Sequence, residues 1–206
     1  MKGGNFEREI AKELSLWYSK GKRDDLIWRT HGSGGRATQR AKSDKDTKYQ
    51  HGDLTFSDPC VKELFDVFNF ELKTGYSRKT KKKSGNERIT NWCILDLIDS
   101  KQKVCIFEEM WRQAERDAKK SKRIPILIFR RPMKSPCIVV NSNIFIRLIV
   151  SLSLSKENKM PSTHRVSVHL SNGKLVSLTI ISLSSFLEWA VPKDFISIGK
   201  GFLHDK

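Results

Sequence analysis

The stretch Val67-Phe68-Asn69-Phe70-Glu71-Leu72-Lys73 constrains this chain more than any other. Phe68, Phe70 and Leu72 alternate with Asn69, Glu71 and Lys73, and the side chains of a strand point to opposite faces with period two. The run is therefore a strand with one apolar face to bury and another on which a carboxylate and an ammonium stand side by side. An acid-x-lysine triplet alone carries little information, because Asp46-Thr47-Lys48, Asp99-Ser100-Lys101, Asp117-Ala118-Lys119 and Glu157-Asn158-Lys159 occur as well. Only Glu71-Leu72-Lys73 closes an alternating aromatic strand.

The flanking sequence supplies elements for that strand to pack against. Asn5 is a suitable N-cap, and Glu7 and Glu9 complement the dipole of a first helix that runs to about Ser19. Phe6, Ile10, Leu14 and Trp17 form its apolar stripe, with Glu7 at the border of the buried face and Glu9 facing solvent. Residues 26–30 read as a short strand, and the glycine-rich His31-Gly32-Ser33-Gly34-Gly35-Arg36 opens a polar, basic loop that continues to Gln50. A second strand, 53–56, reaches a turn at Ser57-Asp58-Pro59, from which the strand carrying Glu71 and Lys73 is expected to return antiparallel. Residues 79–88 read as another basic loop around Lys81, Lys82 and Lys83.

Further on, Ile106, Phe107, Met110, Trp111, Ala114 and Ala118 mark a helix that feeds a continuous apolar strand at 124–129, the pattern of an α/β crossover. A strand at 137–140, a hairpin over 165–180 turning at Asn172-Gly173, and a short helix near 184–190 complete the reading. The length, 206 residues, suits one domain with a core over about 3–140. Residues 141–206 are then an extension that completes the core or forms a dimer interface.

With 39 Lys and Arg against 23 Asp and Glu, the net charge is +16, so the surface attracts polyanions, nucleic acid first among them. Cys60, Cys93, Cys105 and Cys137 are isolated from one another, which points to reduced, mostly buried thiols and to neither a zinc site nor a disulfide framework. No signal peptide or membrane span is evident, and a cytoplasmic location is expected.

Asp53 and Glu71 on neighbouring strands offer hard oxygen ligands of the kind Mg²⁺ takes, and Lys73 beside them can orient or deprotonate a water. Glu7 could join through a bound water or at a second metal position. Taken singly, each residue has a plainer account: Glu7 as a helix-dipole partner, Asp53 as a strand-end turn residue, Glu71 and Lys73 as an ion pair. His31 and His51 flank the site but the chemistry needs neither.

Taken together, Phe6-Glu7-Arg8-Glu9 opening a helix, Trp28-Arg29 followed by Gly32-Ser33-Gly34-Gly35, Gly52-Asp53 on a strand, and Phe70-Glu71-Leu72-Lys73 resemble the PD-(D/E)xK nuclease superfamily. Within it they are most similar to the phage and archaeal-type Holliday-junction resolvases. The resemblance covers about residues 3–130, with Gly52 standing where the superfamily name has proline and with a long insert at 36–50.

It implies an α/β fold with a restriction-endonuclease-like core, a central mixed β-sheet flanked by helices. It also implies Mg²⁺, with Mn²⁺ as a substitute, held by Asp53, Glu71 and the backbone carbonyl of Leu72, with Lys73 as the catalytic lysine and Glu7 as the helix carboxylate of the site. Arg8 and Arg29 would lie near the scissile or an adjacent phosphate. The backbone of Ser33, Gly34 and Gly35 would cradle a phosphate, and Gln113 is an accessory candidate. Arg36, Arg40, Lys81, Lys82 and Lys83 suit contacts to the DNA backbone. The implied function is phosphodiester hydrolysis on branched DNA by a homodimer in a bacterial or phage-infected cell. The alternatives are a restriction-like or repair nuclease on linear duplex and a non-catalytic basic DNA-binding protein.

Overall fold

A computed structural model describes residues 2–30, 49, 51–75, 77–81, 87–99, 105–153, 160–169 and 173–205. Helix α1 (Lys2–Tyr18) leads to β1 (Ile27–Arg29) and β2 (Leu54–Phe56), and a single 3₁₀ turn (Pro59–Val61) runs into α2 (Lys62–Val67) and β3 (Phe68–Thr74). Strands β4 (Ser77–Lys81) and β5 (Glu87–Asn91), helix α3 (Asp96–Asp99), helix α4 (Ile106–Lys120) and strand β6 (Ile124–Arg130) follow. The remainder comprises β7 (Cys137–Asn141), α5 (Ser142–Ser153), β8 (Thr163–His169), β9 (Leu175–Ser182), α6 (Leu183–Trp189) and α7 (Pro192–His204).

The central sheet has the order β3-β6-β7-β9-β8. Strands β3 and β6 are parallel, with Glu71 beside Leu127 and Lys73 beside Phe129, and α4 is the crossover between them. The other pairings are antiparallel, so the sheet is mixed. Period-two alternation sorts its side chains into two cores. Phe68, Phe70, Leu72, Ile126, Ile128, Val140 and Ile181 pack with Phe6, Ile10, Leu14, Phe186 and Phe195 from α1, α6 and α7. Leu127, Phe129, Val139 and Leu178 pack on the opposite face with Phe107, Met110, Trp111 and Ala114 from α4. Asn69, Glu71 and Lys73 alternate with the first set and therefore belong to the α4 face. Chain segments far apart in sequence meet in the larger core, where Phe195 stacks on Phe68 at 4.2 Å and Trp17 Nε1 donates to Ala190 O at 2.7 Å.

Several expectations are corrected. Helix α1 begins at Lys2, so Asn5 is an internal helix residue whose Oδ1 accepts from Arg8 Nη1 at 2.8 Å. Packing overrides the weak helix propensity of Gly4 here, since a Cβ at that position would fall 2.7 Å from Arg29 Nη1. Strand β2 does not turn directly into β3. It pairs antiparallel with β1, and the 3₁₀ turn and α2 carry the chain on to a β3 whose ladder partner is parallel β6. The basic segment 79–88 contains an antiparallel ladder, with Lys79 opposite Ile89 and Lys81 opposite Glu87. Glu9 is not merely solvated, because Arg130 Nη1 holds both its carboxylate oxygens at 2.7 and 2.8 Å. The four cysteines are free, but Cys60 is exposed and Cys105 alone is fully buried.

Candidate active site

The site is assembled along the outer edge of β3. Gly52 precedes it with φ +93°, and a Cβ there would sit 2.7 Å from Asn69 Oδ1 and 2.8 Å from Phe70 O. Both the left-handed backbone and the missing side chain are needed for close approach to β3, and proline, fixed near φ −65°, could not take this position. The departure from the superfamily name thus has a local physical cause.

Asp53 follows, lying beside β3 like a one-residue strand. Its N–H donates to Phe70 O at 2.8 Å, its Oδ2 accepts from Leu72 N at 2.7 Å, and its own carbonyl accepts from Thr30 N at 2.8 Å. The N–H and C=O of one strand residue leave the backbone on the same side, so the Leu72 carbonyl also faces the Asp53 edge. Asp53, Glu71 and the Leu72 carbonyl therefore converge on one corner of the sheet.

Glu71 is 2 % exposed, and Lys73 Nζ donates to its Oε1. Burial pushes the Glu71 carboxyl up to about 7, the neighbouring Asp53 charge adds to that rise, and Lys73 opposes it. Asp117 on α4 contributes further in the same upward direction. Glu7 reaches the site from α1 and is also raised, by burial first and Asp53 second, with Arg29, Arg8 and Lys73 pulling it down. Its Oε2 lies 3.3 Å from Arg29 Nε. Asp53 thus acts on both of the other carboxylates, with Lys73 as a counter-charge to both and Arg29 to Glu7.

The donors suit a hard divalent cation, being carboxylate and carbonyl oxygens with no thiolate or imidazole among them. Among the described residues no group of three or more His, Cys, Asp and Glu side chains is gathered closely enough to ligate an ion unaided.

Of the phosphate-binding candidates, Arg29 is placed at the site by β1, and Arg8 is exposed on α1 with a charge that acts on Glu7. Gln113 is half-buried on α4, one turn before Asp117. Ser33, Gly34, Gly35, Arg36, Arg40, Lys82 and Lys83 lie outside the described residues, and Lys81 is described as the last residue of β4.

Two residues escape a reading of the sequence. Asp117 sits in one of the four discounted acid-x-lysine triplets, and its i+3 spacing to Lys120, with which it forms a 2.8 Å ion pair, resembles any helix surface. Arg123 looks like a basic residue after a helix end, yet it is 5 % exposed and clamps the approach to the site. Its Nη2 donates to His51 O at 2.7 Å and Asn69 Oδ1 at 2.6 Å, its Nη1 to Phe65 O at 3.1 Å and Phe68 O at 3.2 Å, and its Nε to Ser121 Oγ at 2.9 Å. The His51 carbonyl is thereby fixed two residues before Asp53, while burial pushes the His51 imidazole down. A buried arginine paired with carbonyls has no periodic signature in sequence.

Comparison with known proteins identifies the family. No curated protein and no solved structure matches the chain. A family described as "Phage putative PDDEXK endonuclease" matches residues 1–196, a span that takes in α1, the Asp53 edge, β3 and most of the C-terminal elements. The chain therefore belongs to the phage PD-(D/E)xK endonuclease family and is a nuclease.

Proposed function

We propose that the protein is a Mg²⁺-dependent endonuclease that cuts branched DNA, such as a four-way junction, as a symmetric dimer. The observation that carries the metal site is the corner made by Asp53, Glu71 and the Leu72 carbonyl, with Lys73 bonded to Glu71. Asp53 and Glu71 would hold the cation, Leu72 would complete the protein ligands, and Glu7 would stand by as a water-mediated or second-position carboxylate. When bound, the cation supplies charge neutralisation at the scissile phosphate and lowers the pKa of water there. Lys73 orients the attacking water and offsets charge that builds on the phosphoryl oxygens. Arg29, braced by Glu7, directs its guanidinium to a non-bridging oxygen of the scissile or an adjacent phosphate. In-line displacement leaves a 5′-phosphate and a 3′-hydroxyl.

Residues 1–206 act as one nuclease domain, with 141–206 completing the larger core, in line with the Phe68–Phe195 stack. The branched-DNA and dimer readings rest on likeness to resolvases, since a four-way junction presents paired phosphates to a two-fold enzyme. The net charge of +16 favours a polyanion of any shape. Matched four-way-junction and linear-duplex substrates, incubated with Mg²⁺ or with Ca²⁺, test the proposal. Wild type should cut the junction faster in Mg²⁺, and Asp53→Asn should lose at least about 10⁴-fold in rate, roughly 5 kcal/mol of barrier. Undiminished cutting by Asp53→Asn would overturn the metal site, and equal cutting of both DNAs would overturn the branch preference alone.

A further inference from the structure

The turn between β6 and β7 breaks a local rule at a revealing place. Lys134 N donates to Arg131 O at 3.1 Å, closing a four-residue turn, and Met133 at its third position has φ +59°. With proline at the second position this is the signature of a type II turn, whose third position calls for glycine. Here the chain carries instead a long apolar side chain that is 99 % exposed. The residue gains no burial to offset its strained backbone, and such violations collect at functional positions.

The location gives the strain a use. Arg130, at the root of the turn, lies opposite Thr74 in the β3–β6 ladder, one residue beyond Lys73. Its carbonyl accepts from Gly75 N at 3.3 Å, its guanidinium holds Glu9 of α1, and it lies 4.5 Å over the Phe6 ring. The turn is thus anchored to the two elements that carry Glu7 and Lys73, and its tip, Met133, follows Arg130 by three residues. Arg131 and Lys134 flank the tip, Lys134 exposed and Arg131 half-buried.

We propose that Met133 is an apolar wedge that enters the base stack of the bound DNA while Arg131 and Lys134 hold the flanking phosphates. Wedges of this kind unstack a base step and bend the duplex, at a cost that is smallest where bases are already unpaired or strained. The inference rests on the nuclease reading and deepens it, because it gives the protein a physical reason to prefer branched or distorted DNA.

The test is DNA binding by metal-free protein in EDTA, using a four-way junction and a linear duplex, each carrying 2-aminopurine, whose fluorescence rises on unstacking. Met133→Gly suits the turn and should melt no lower than wild type. It should bind the junction at least ten-fold more weakly and lose the fluorescence rise, while Met133→Leu keeps both. Wild-type affinity and fluorescence in Met133→Gly would overturn the proposal. A lower melting temperature for Met133→Gly would show that Met133 packs on the protein and would overturn it equally. The readout needs no cleavage, so a wild-type protein that binds but does not cut would sink the metal site and leave the wedge intact.

Discussion

The two ends of strand β3 handle buried charge in opposite ways. At the N-terminal end, Arg123 is buried among oxygen acceptors from Phe65, Phe68, Asn69, His51 and Ser121, so its charge is met on every side the hydrogen bonds describe. At the C-terminal end, Glu71 is as deeply buried, but the nearby Asp53 and Asp117 charges repel it and Lys73 compensates only in part. The first arrangement saturates the guanidinium with hydrogen bonds, although burial still pulls its pKa down to about 10, and the second would gain from a cation. Strand β3 therefore borders one buried charge, Arg123, which comes from the segment before β6, and carries another, Glu71, proposed as functional; completeness of hydrogen-bond partners distinguishes them better than depth does.

The largest expected effect bears on the complete end. Arg123→Met should lower stability by about 3–5 kcal/mol, because the carbonyls of Phe65, Phe68 and His51 would be left buried without a donor. Denaturant midpoints with an unchanged slope would measure it. A loss below about 1 kcal/mol would mean that the acceptors find water, and the contrast between the two ends would collapse.

The incomplete end should respond with the opposite sign. The folded carboxyl of Glu71 is raised from 4.5 to about 7, so the fold holds this proton more tightly than the unfolded chain does. Its contribution therefore favours the fold at low pH, falls as pH rises from about 4.5 to about 7, and stays low above that. In metal-free protein, Glu71→Gln should abolish that slope and gain on the order of 2–3 kcal/mol at pH 8, while cleavage is lost. Unfolding curves at pH 5 and pH 8 in EDTA give the comparison, and a variant less stable than wild type at pH 8 would contradict it.

The smallest effect separates the acids from one another. Glu7 is braced by Arg29, so Glu7→Gln should slow cleavage by about ten-fold, or about 1.4 kcal/mol, rather than by the factor of about 10⁴ or more expected at Asp53. Single-turnover rates at saturating Mg²⁺ would show it. A loss as large as that of Asp53→Asn would make Glu7 a direct ligand.

Much of this arrangement is legible in the sequence where periodicity is strong. Phe68, Phe70 and Leu72 mark β3, and Met110, Trp111, Ala114 and Ala118 mark α4, because one-sided burial imposes a period on apolar residues. Helix α5 is harder to read, since Ile144, Phe145, Leu148 and Leu152 are buried within a run so apolar that the helical period is blurred. The ladder of β4 and β5 is masked by charge, which reads as a loop. At the site, Glu71, Lys73 and Asp53 stand out by strand context. Arg123 and Asp117 do not, because their roles depend on partners distant in sequence that leave no local pattern.

Among the described residues β3 is the terminal strand of its sheet, and its exposed side is met by Asp53 rather than by another ladder. An apolar strand with unpaired backbone groups is a template for sticking to other chains, so Asp53, the proposed metal ligand, doubles as a guard against aggregation. The choice of inactive variant then matters at the bench. Asp53→Asn retains a side-chain oxygen for the Leu72 N–H and should stay soluble, whereas Asp53→Ala bares that amide and invites edge-to-edge association. Nuclease-dead protein for crystallisation with DNA is better made by the first substitution than by the second.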